Sequence, residues 1–223
     1  AWKDLLENEA IVSDPQIGEA LRKKAKDQIE TITARLQKRH PFQADKEFVS
    51  LGGIRYDRGT RQIKIPAVVS YPKSGDTRHP GELELILCSA TGRTHETLFT
   101  TQTRPLHLEV LMHLAGFKKS QTASLFRLDV IIADQQPIPI EPLIKAAGSD
   151  ALPSEMLWEF SGSDFKDIYS PDQTGDFIIL WHAHDSVLRV HQEKIATGEV
   201  KLLPNKHRLL KQGMEVTLVL SPV

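Results

Sequence analysis

The hydrophobic period of this chain changes near residue 40, and that change limits the folds open to it. In residues 1–40 apolar side chains recur every three or four positions, which is the period of a helix. From residue 47 onward the apolar residues fall in short runs, many of which alternate with polar residues as in strands. We therefore predict a helical extension over residues 1–40 and one α+β domain over residues 41–223.

The N-terminal extension is predicted to form one long amphipathic helix. Ser13, Asp14 and Pro15 resemble a helix start, because a capping side chain precedes a proline whose missing N–H is not needed in the first turn. Mixed charge and a stripe without aromatic residues favour docking onto the protein's own sheet over a membrane surface. Self-association through this helix is an alternative. The stripe consists of Ile17, Leu21, Ala25, Ile29, Ile32 and Leu36.

The second domain is predicted to be a largely antiparallel sheet with two or three helices. Its strands are grouped along the chain rather than alternating strictly with helices, which favours this class over a doubly wound parallel sheet. Pro66 has no N–H for a sheet ladder and is expected at an edge, bulge or bend. The predicted strands lie near residues 47–51, 62–71, 82–90, 124–133, 156–160, 176–181, 186–190 and 215–220, and the helices near 105–114 and 140–147.

Composition excludes several classes of partner. The chain has 28 Lys and Arg residues against 29 Asp and Glu, a formal net charge of −1, which argues against a basic nucleic-acid surface. No window approaches the ~18 uninterrupted apolar residues of a membrane-spanning helix. Cys88 is the single cysteine and lies in an apolar run, so we expect a buried thiol and no internal disulfide.

Several short segments carry a family resemblance. They include 61–67 (Arg-Gln-Ile-Lys-Ile-Pro-Ala), 81–87 (Gly-Glu-Leu-Glu-Leu-Ile-Leu), 95–99 (His-Glu-Thr-Leu-Phe) and 104–107 (Arg-Pro-Leu-His). Through these segments the chain resembles the YdjY-domain family of bacterial exported proteins. The segments 158–165 and 175–180 are similar to the second half of that family, and the resemblance spans about residues 45–222.

The resemblance implies a periplasmic or cell-envelope location, behind a secretory or lipoprotein leader, which agrees with a chain that begins at Ala1. It implies no reaction. We therefore expect a binding or scaffolding module for a protein or small-molecule ligand rather than an enzyme, and we predict no resident cofactor. A hydrolase, metal-dependent or based on His and Glu, is the alternative.

The first candidate site contains His95, Glu96, Arg104 and His107, which surround a predicted strand-to-helix connection. A zinc-protease helix would need a second histidine at position 99, where the chain has Phe99. Two interpretations stay open. The four side chains converge in a catalytic cleft, or they form a structural network in which Glu96 pairs with Arg104 or accepts backbone N–H groups.

The second candidate site is His182 and His184, which follow a predicted strand. Residues two apart on a strand share a face, so both imidazoles could bind one divalent metal ion. No third ligand is evident in the sequence around them, which makes an exposed strand end the better interpretation.

Overall fold

The computed structural model of this protein describes residues 2–37, 40–71, 81–119, 124–133, 135–149, 153–163, 169–182, 185–205, 207–208 and 210–223. Its helices are α1 (Trp2–Ser13), α2 (Glu19–Gln37), α3 (Pro105–Leu114), α4 (Ser170–Thr174) and α5 (Glu193–Ala196). Its strands are β1 (Phe42–Ala44), β2 (Phe48–Leu51), β3 (Ile54–Asp57), β4 (Ile63–Val69), β5 (Leu85–Ser89), β6 (Thr97–Thr101), β7 (Leu125–Ile131), β8 (Ile138–Pro139), β9 (Ile144–Ala146), β10 (Trp158–Phe160), β11 (Asp176–Ile179), β12 (Leu188–Val190), β13 (Leu202–Pro204) and β14 (Glu215–Pro222).

Eight of these strands close into a mixed β-barrel. Their order is β4, β14, β7, β10, β12, β11, β5 and β6, and β6 completes the ring by pairing with β4. The β11–β12 and β5–β6 pairs are parallel, whereas the other pairs of the ring are antiparallel. Strands β1 to β3 extend from β4 as a meander, β8 pairs with β7, and β9 and β13 form a separate two-stranded sheet.

The predicted α+β sheet with two or three helices is therefore wrong. The hydrophobic pattern located most of the strands, but alternation along one strand does not specify whether the two edges of a sheet meet. Residues 140–147, predicted as a helix, instead form a 3₁₀ turn (Glu141–Leu143) followed by β9. Strand β6 was missed because four of its five residues are buried, which leaves no alternation to detect.

The predicted long N-terminal helix is also wrong, because residues 2–37 form a helical hairpin. Ser13 is the last residue of α1, and α2 begins only at Glu19. Between them, Asp14 Oδ1 accepts the Gln16 N–H at 2.8 Å, a local turn for which a short acidic side chain is well suited. The supposed helix start is thus the turn of the hairpin. Helix α1 also packs against α3, and α2 packs against β1.

Pro66 lies where one edge of β4 changes its partner, while the other edge pairs with β14 and places Pro66 opposite Thr217 without a register shift. Residues 63–64 pair with β3, whereas residues 68–69 pair with β6 on the same edge. Between the two pairings, the Pro66 carbonyl accepts a hydrogen bond from Thr101 Oγ1 at 2.7 Å. A residue without an N–H is tolerated at this point because neither β3 nor β6 pairs with residue 66.

The connection between β5 and β6 is unusually short for a parallel pair. Residues 90–96 make it, whereas parallel strands are usually joined by about a dozen residues or more. Two glycines allow this crossover to approach β11 closely: a Cβ on Gly92 would lie 3.0 Å from Thr174 O, and one on Gly175 would lie 2.2 Å from Ser89 Oγ. The crossover therefore depends on backbone-to-backbone proximity.

The interior holds one large apolar cluster and one small one. Cys88 belongs to the small cluster with Leu85 and Ile179, and Trp181 packs against it. Burial of Cys88 is confirmed, and that burial raises the pKa of its thiol to about 11. None of the helices described is both long and apolar enough to cross a membrane.

Candidate functional site

Arg93, in the crossover between β5 and β6, contacts three carboxylates. Its Nη1 lies 3.1 Å from Glu84 Oε2 and 3.5 Å from Glu96 Oε2, and its Nη2 donates to Asp176 Oδ2 at 2.9 Å. The Arg93 Cζ also lies 4.5 Å from the centroid of the Trp181 ring, which is within the range of a cation–π contact. We call Arg93, Glu84, Glu96 and Asp176 the Arg93 cluster.

The predicted pair of His95 and Glu96 is joined to this cluster through Glu96, which belongs to it. His95 Nε2 lies 3.2 Å from Glu96 Oε1, and the His95 side chain is about half exposed whereas that of Glu96 is buried. The Glu96 backbone carbonyl accepts the N–H of Glu84 at 3.0 Å, which fixes the start of β6 beside the start of β5. The Glu96 carboxylate is therefore shared between Arg93 and His95.

A cleft of about 430 Å³ opens beside the Arg93 cluster, within the range of roughly 300–1,000 Å³ that is typical of small-molecule sites. Its charged lining combines two acidic and two basic side chains, and its apolar lining combines three buried leucines with the partly exposed Trp181, Ile195 and Val200. We call it the Arg93–Trp181 cleft. The lining consists of Glu82, Leu83, Glu84, Arg93, Leu180, Trp181, Ile195, Gly198, Val200, Lys201 and Leu202.

Segments that are distant in sequence hold this cleft in shape. The Leu83 N–H donates to Leu202 O at 2.8 Å, and the Leu180 N–H donates to Glu84 O at 2.9 Å. Across the opening, Lys201 Nζ lies 2.8 Å from Glu82 Oε2. Because backbone hydrogen bonds fix three of the lining segments, a ligand would enter a largely pre-formed site.

The other two predicted residues, Arg104 and His107, lie beyond the opposite end of β6 from His95 and Glu96. Strand β6 separates the two pairs, and at about 3.3 Å per residue its five residues span roughly 16 Å. The structure therefore brings His95 and Glu96 together and places Arg104 and His107 in other contacts.

Arg104 pairs with Asp172 of α4. Its Nε donates to Asp172 Oδ2 at 2.9 Å, while Asp172 Oδ1 accepts the Leu106 N–H at 3.0 Å. Leu106 is in the first turn of α3, where backbone N–H groups have no partner within the helix. The carboxylate of Asp172 therefore accepts a hydrogen bond from a first-turn N–H of α3 and also fixes the orientation of Arg104.

His107 makes a closed contact with the segment before β1. Its Nε2 lies 3.2 Å from His40 Nδ1, and burial, with further contributions from His40 and Arg104, lowers the pKa of His107 to about 4. Gly52, at φ +59°, packs on the ring so closely that a Cβ there would lie 1.9 Å from His107 Nδ1. The imidazole is therefore neutral near pH 7 and tightly enclosed.

The second predicted site is described only in part. His182 is about half exposed, and its Nε2 lies 3.1 Å from Glu193 Oε2 of α5. His184 lies outside the described residues. Within the described part of the chain, no group of three or more His, Cys, Asp or Glu side chains is arranged to hold a metal ion. The divalent metal therefore stays an untested alternative to the exposed strand end.

A second polar cluster surrounds Glu109, which is fully buried in α3. Its carboxylate accepts a hydrogen bond from the Tyr169 hydroxyl and from the Ser163 N–H at 2.9 Å, and it lies 2.8 Å from Lys119 Nζ and 3.6 Å from His113 Nε2. Burial alone would raise the pKa of Glu109, but these four groups together hold it below its ordinary value. Burial and the nearby carboxylate raise the pKa of Tyr169. We call these five residues the Glu109 cluster.

Sequence analysis missed Arg93, Trp181 and Glu109, although one of them left a clear signal. Residues 105–112 of α3 are all buried, and their sequence is apolar on almost every side. A charged residue within such a helix must be paired, because an unpaired charge in the interior is too costly. Glu109 could therefore have been singled out. For Arg93, the relevant feature is its position between two apolar strands.

Comparison of the chain with family models, curated proteins and solved structures finds no match. The resemblance to the YdjY-domain family therefore stays an expectation from the sequence. The geometry of the clusters and the Arg93–Trp181 cleft carries the functional argument.

Proposed function

We propose that this protein is a binding module of the bacterial cell envelope, similar to YdjY-domain proteins, that takes a small-molecule ligand in the Arg93–Trp181 cleft. The observation that carries the proposal is the cleft itself, which combines a pre-formed apolar interior with an aromatic side chain and four charged side chains at its surface. Sites of this composition bind ligands because apolar contact supplies affinity and a few fixed polar groups supply orientation.

The placement of the predicted residues also favours binding over catalysis. Glu96 is shared between Arg93 and His95, Arg104 is bound to Asp172, and His107 is enclosed beside His40. Each of these side chains stabilises a connection in the fold. Trp181 and Arg93 instead contribute surface to an open cleft.

The test is a screen of small molecules against the full chain, followed through the indole N–H signals of its tryptophans by NMR. Ligands of the cleft should shift the Trp181 signal, identified by its loss in Trp181→Phe, and leave the signal of the fully buried Trp158 in place. In Trp181→Ala, saturation-transfer NMR should show binding weakened at least tenfold. Ligands that bind Trp181→Ala as tightly as the wild type would contradict this location.

A further inference from the structure

A second cleft lies beside the Arg93–Trp181 cleft and shares part of its lining. Its volume is about 410 Å³, close to the volume of about 430 Å³ of the first cleft. Three side chains, Ile195, Val200 and Leu202, border both clefts. We call the second one the Met156 cleft, after a methionine in its lining. The two clefts are therefore neighbours with an aliphatic boundary between them.

The boundary between the two clefts is fixed by the protein's own backbone. The Gly198 N–H donates to Ile195 O at 2.9 Å, and the Val200 N–H donates to Lys194 O at 2.8 Å. These bonds fold residues 194–200 into a compact turn at the end of α5, where Ile195 and Val200 are both partly exposed. The shared aliphatic side chains are thus held in place before any ligand binds.

The interior of the Met156 cleft is apolar, and the charged groups of its lining remain in water. The side chains of Glu193 and Lys194 are 76% and 73% exposed. The Gln192 side-chain amide is already used, because its Nε2 donates to Glu155 O at 2.9 Å and its Oε1 accepts the Leu157 N–H at 3.3 Å. A ligand in this cleft therefore gains mainly apolar contact. The apolar lining consists of Ala146, Pro153, Met156, Ile195, Val200 and Leu202.

The lining of the Arg93–Trp181 cleft favours an uncharged polar group. Lys201 Nζ lies 2.8 Å from Glu82 Oε2, and Arg93 Nη1 lies 3.1 Å from Glu84 Oε2. Each cation of the lining therefore has a carboxylate beside it, and the two charges of each sign balance. A charged group on the ligand would compete with one of these pairs, whereas a hydroxyl group can hydrogen-bond beside them without separating them.

Resting on the proposed function, we propose that the ligand is a linear alkyl compound with an uncharged polar end, a long-chain alcohol in the simplest case. Its polar end lies in the Arg93–Trp181 cleft, and its alkyl chain passes over Ile195 and Val200 into the Met156 cleft. A ligand confined to one cleft would leave part of these shared side chains in water, so a chain that reaches both clefts removes more apolar area from water.

Butanol, hexanol and octanol test this proposal on the full chain, with one NMR signal for each cleft. The signals are the Trp181 indole N–H and the Met156 methyl group, the second assigned by its loss in Met156→Leu. Butanol should shift the Trp181 signal alone, whereas octanol should shift both signals with one dissociation constant. Affinity should rise about fourfold per added methylene group, the equivalent of about 0.8 kcal/mol each. A response of only one signal to octanol, or two different dissociation constants, would rule out one ligand across both clefts.

Ala146→Phe should fill the Met156 cleft from β9, because Ala146 is a partly exposed residue of its lining. Octanol should then bind at least tenfold more weakly, while butanol keeps its affinity for the Arg93–Trp181 cleft. Ala147→Phe is the matched control, because Ala147 is exposed and borders neither cleft, and it should change neither affinity.

Two outcomes separate this proposal from the proposed function. Octanol that binds Ala146→Phe as tightly as the wild type, or that shifts neither signal while a screened compound shifts Trp181, would overturn the alkyl ligand and leave the Arg93–Trp181 cleft as a binding site. If no alcohol and no screened compound shifts the Trp181 signal, both proposals fail.

Discussion

The Arg93 cluster and the Glu109 cluster differ in charge balance, because the first has three carboxylates to one guanidinium and the second has one carboxylate to one ammonium group. In the first, one guanidinium is shared by three carboxylates, and the group borders an open cleft. In the second, one fully buried carboxylate is surrounded by an ammonium group, a hydroxyl, a backbone N–H and an imidazole. Burial explains part of the difference: Glu109, Glu96 and Asp176 are all buried and need donors supplied by the protein, whereas Glu84 is half exposed and is also solvated by water.

This comparison separates a structural cluster from a candidate binding cluster. A closed cluster stabilises the fold and has no unused capacity for a ligand. An ion pair with a half-exposed carboxylate such as Glu84 contributes less to stability, and the water around it can be exchanged for a ligand. The predictions below test whether the two clusters differ in this way.

The largest effect is expected from Glu109→Gln. The substitution keeps the shape of the side chain but removes the charge that Lys119 and Tyr169 contact, so the free energy of unfolding should fall by about 3 kcal/mol. Urea unfolding measures it. Glu155→Gln, at an exposed position, should change stability by less than about 0.5 kcal/mol. A loss below about 1 kcal/mol for Glu109→Gln would mean that the closed cluster is not structural.

The buried helix that contains Glu109 shows how far the sequence could lead. Helix α3 was predicted near its bounds, Pro105–Leu114, because its apolar periodicity, its initial proline and the glycine that follows it agree with one another. The partners Lys119, Ser163 and Tyr169 come from other connections, and no local pattern indicates that the fold brings them to one carboxylate. Periodicity identifies which face is buried, but tertiary packing decides what that face contacts.

The same limit applies to the barrel and to the candidate site. Strands such as β4 and β14 follow from alternation along the sequence. Closure depends on the pairing of β6 with β4 and on the short crossover at residues 90–96, which rest on long-range contacts and glycine packing. For the site, the contact between adjacent His95 and Glu96 was within reach of sequence reasoning, whereas the distant partner Asp176 was not.

The pH dependence of stability offers a second test of closed contacts. Because the pKa of His107 is about 4 in the folded chain and about 6.5 when unfolded, the unfolded chain binds the proton more readily between these values. The contribution of the neutral His107 side chain to the free energy of unfolding is therefore complete above about pH 6.5, and it is lost as the pH falls towards 4.

Between pH 7 and pH 4.5 this loss amounts to about 2.5 kcal/mol, at about 1.4 kcal/mol per pH unit. The side chain in His107→Gln does not bind a proton in this pH range. The free energy of unfolding of the variant should therefore fall by about 2.5 kcal/mol less than that of the wild type over the same interval. Urea unfolding at several pH values provides both curves. Parallel curves for wild type and variant would show that His107 is not enclosed as the structure indicates.

Backbone proximity, more than charge, should hold the open cluster in place. In Gly175→Ala the new Cβ would lie 2.2 Å from Ser89 Oγ, at φ +81°, so both strain and overlap act against folding. We expect a loss of about 2 kcal/mol in the free energy of unfolding. Gly198→Ala is the matched control: at φ +77° it has no atom within 4 Å of the new Cβ, and it should lose about 1 kcal/mol from strain alone. Equal losses would indicate that the crossover moves aside without cost.

The smallest change in the free energy of unfolding is expected from Glu84→Gln. This is the same chemical substitution as Glu109→Gln, made in the Arg93 cluster. Glu84 is half exposed and shares Arg93 with Glu96 and Asp176, so Arg93 keeps two carboxylates after the substitution. The free energy of unfolding should change by less than about 0.5 kcal/mol, and high salt should remove the remaining difference. A loss comparable to that of Glu109→Gln would mean that the Glu84 carboxylate is needed to hold the crossover between β5 and β6.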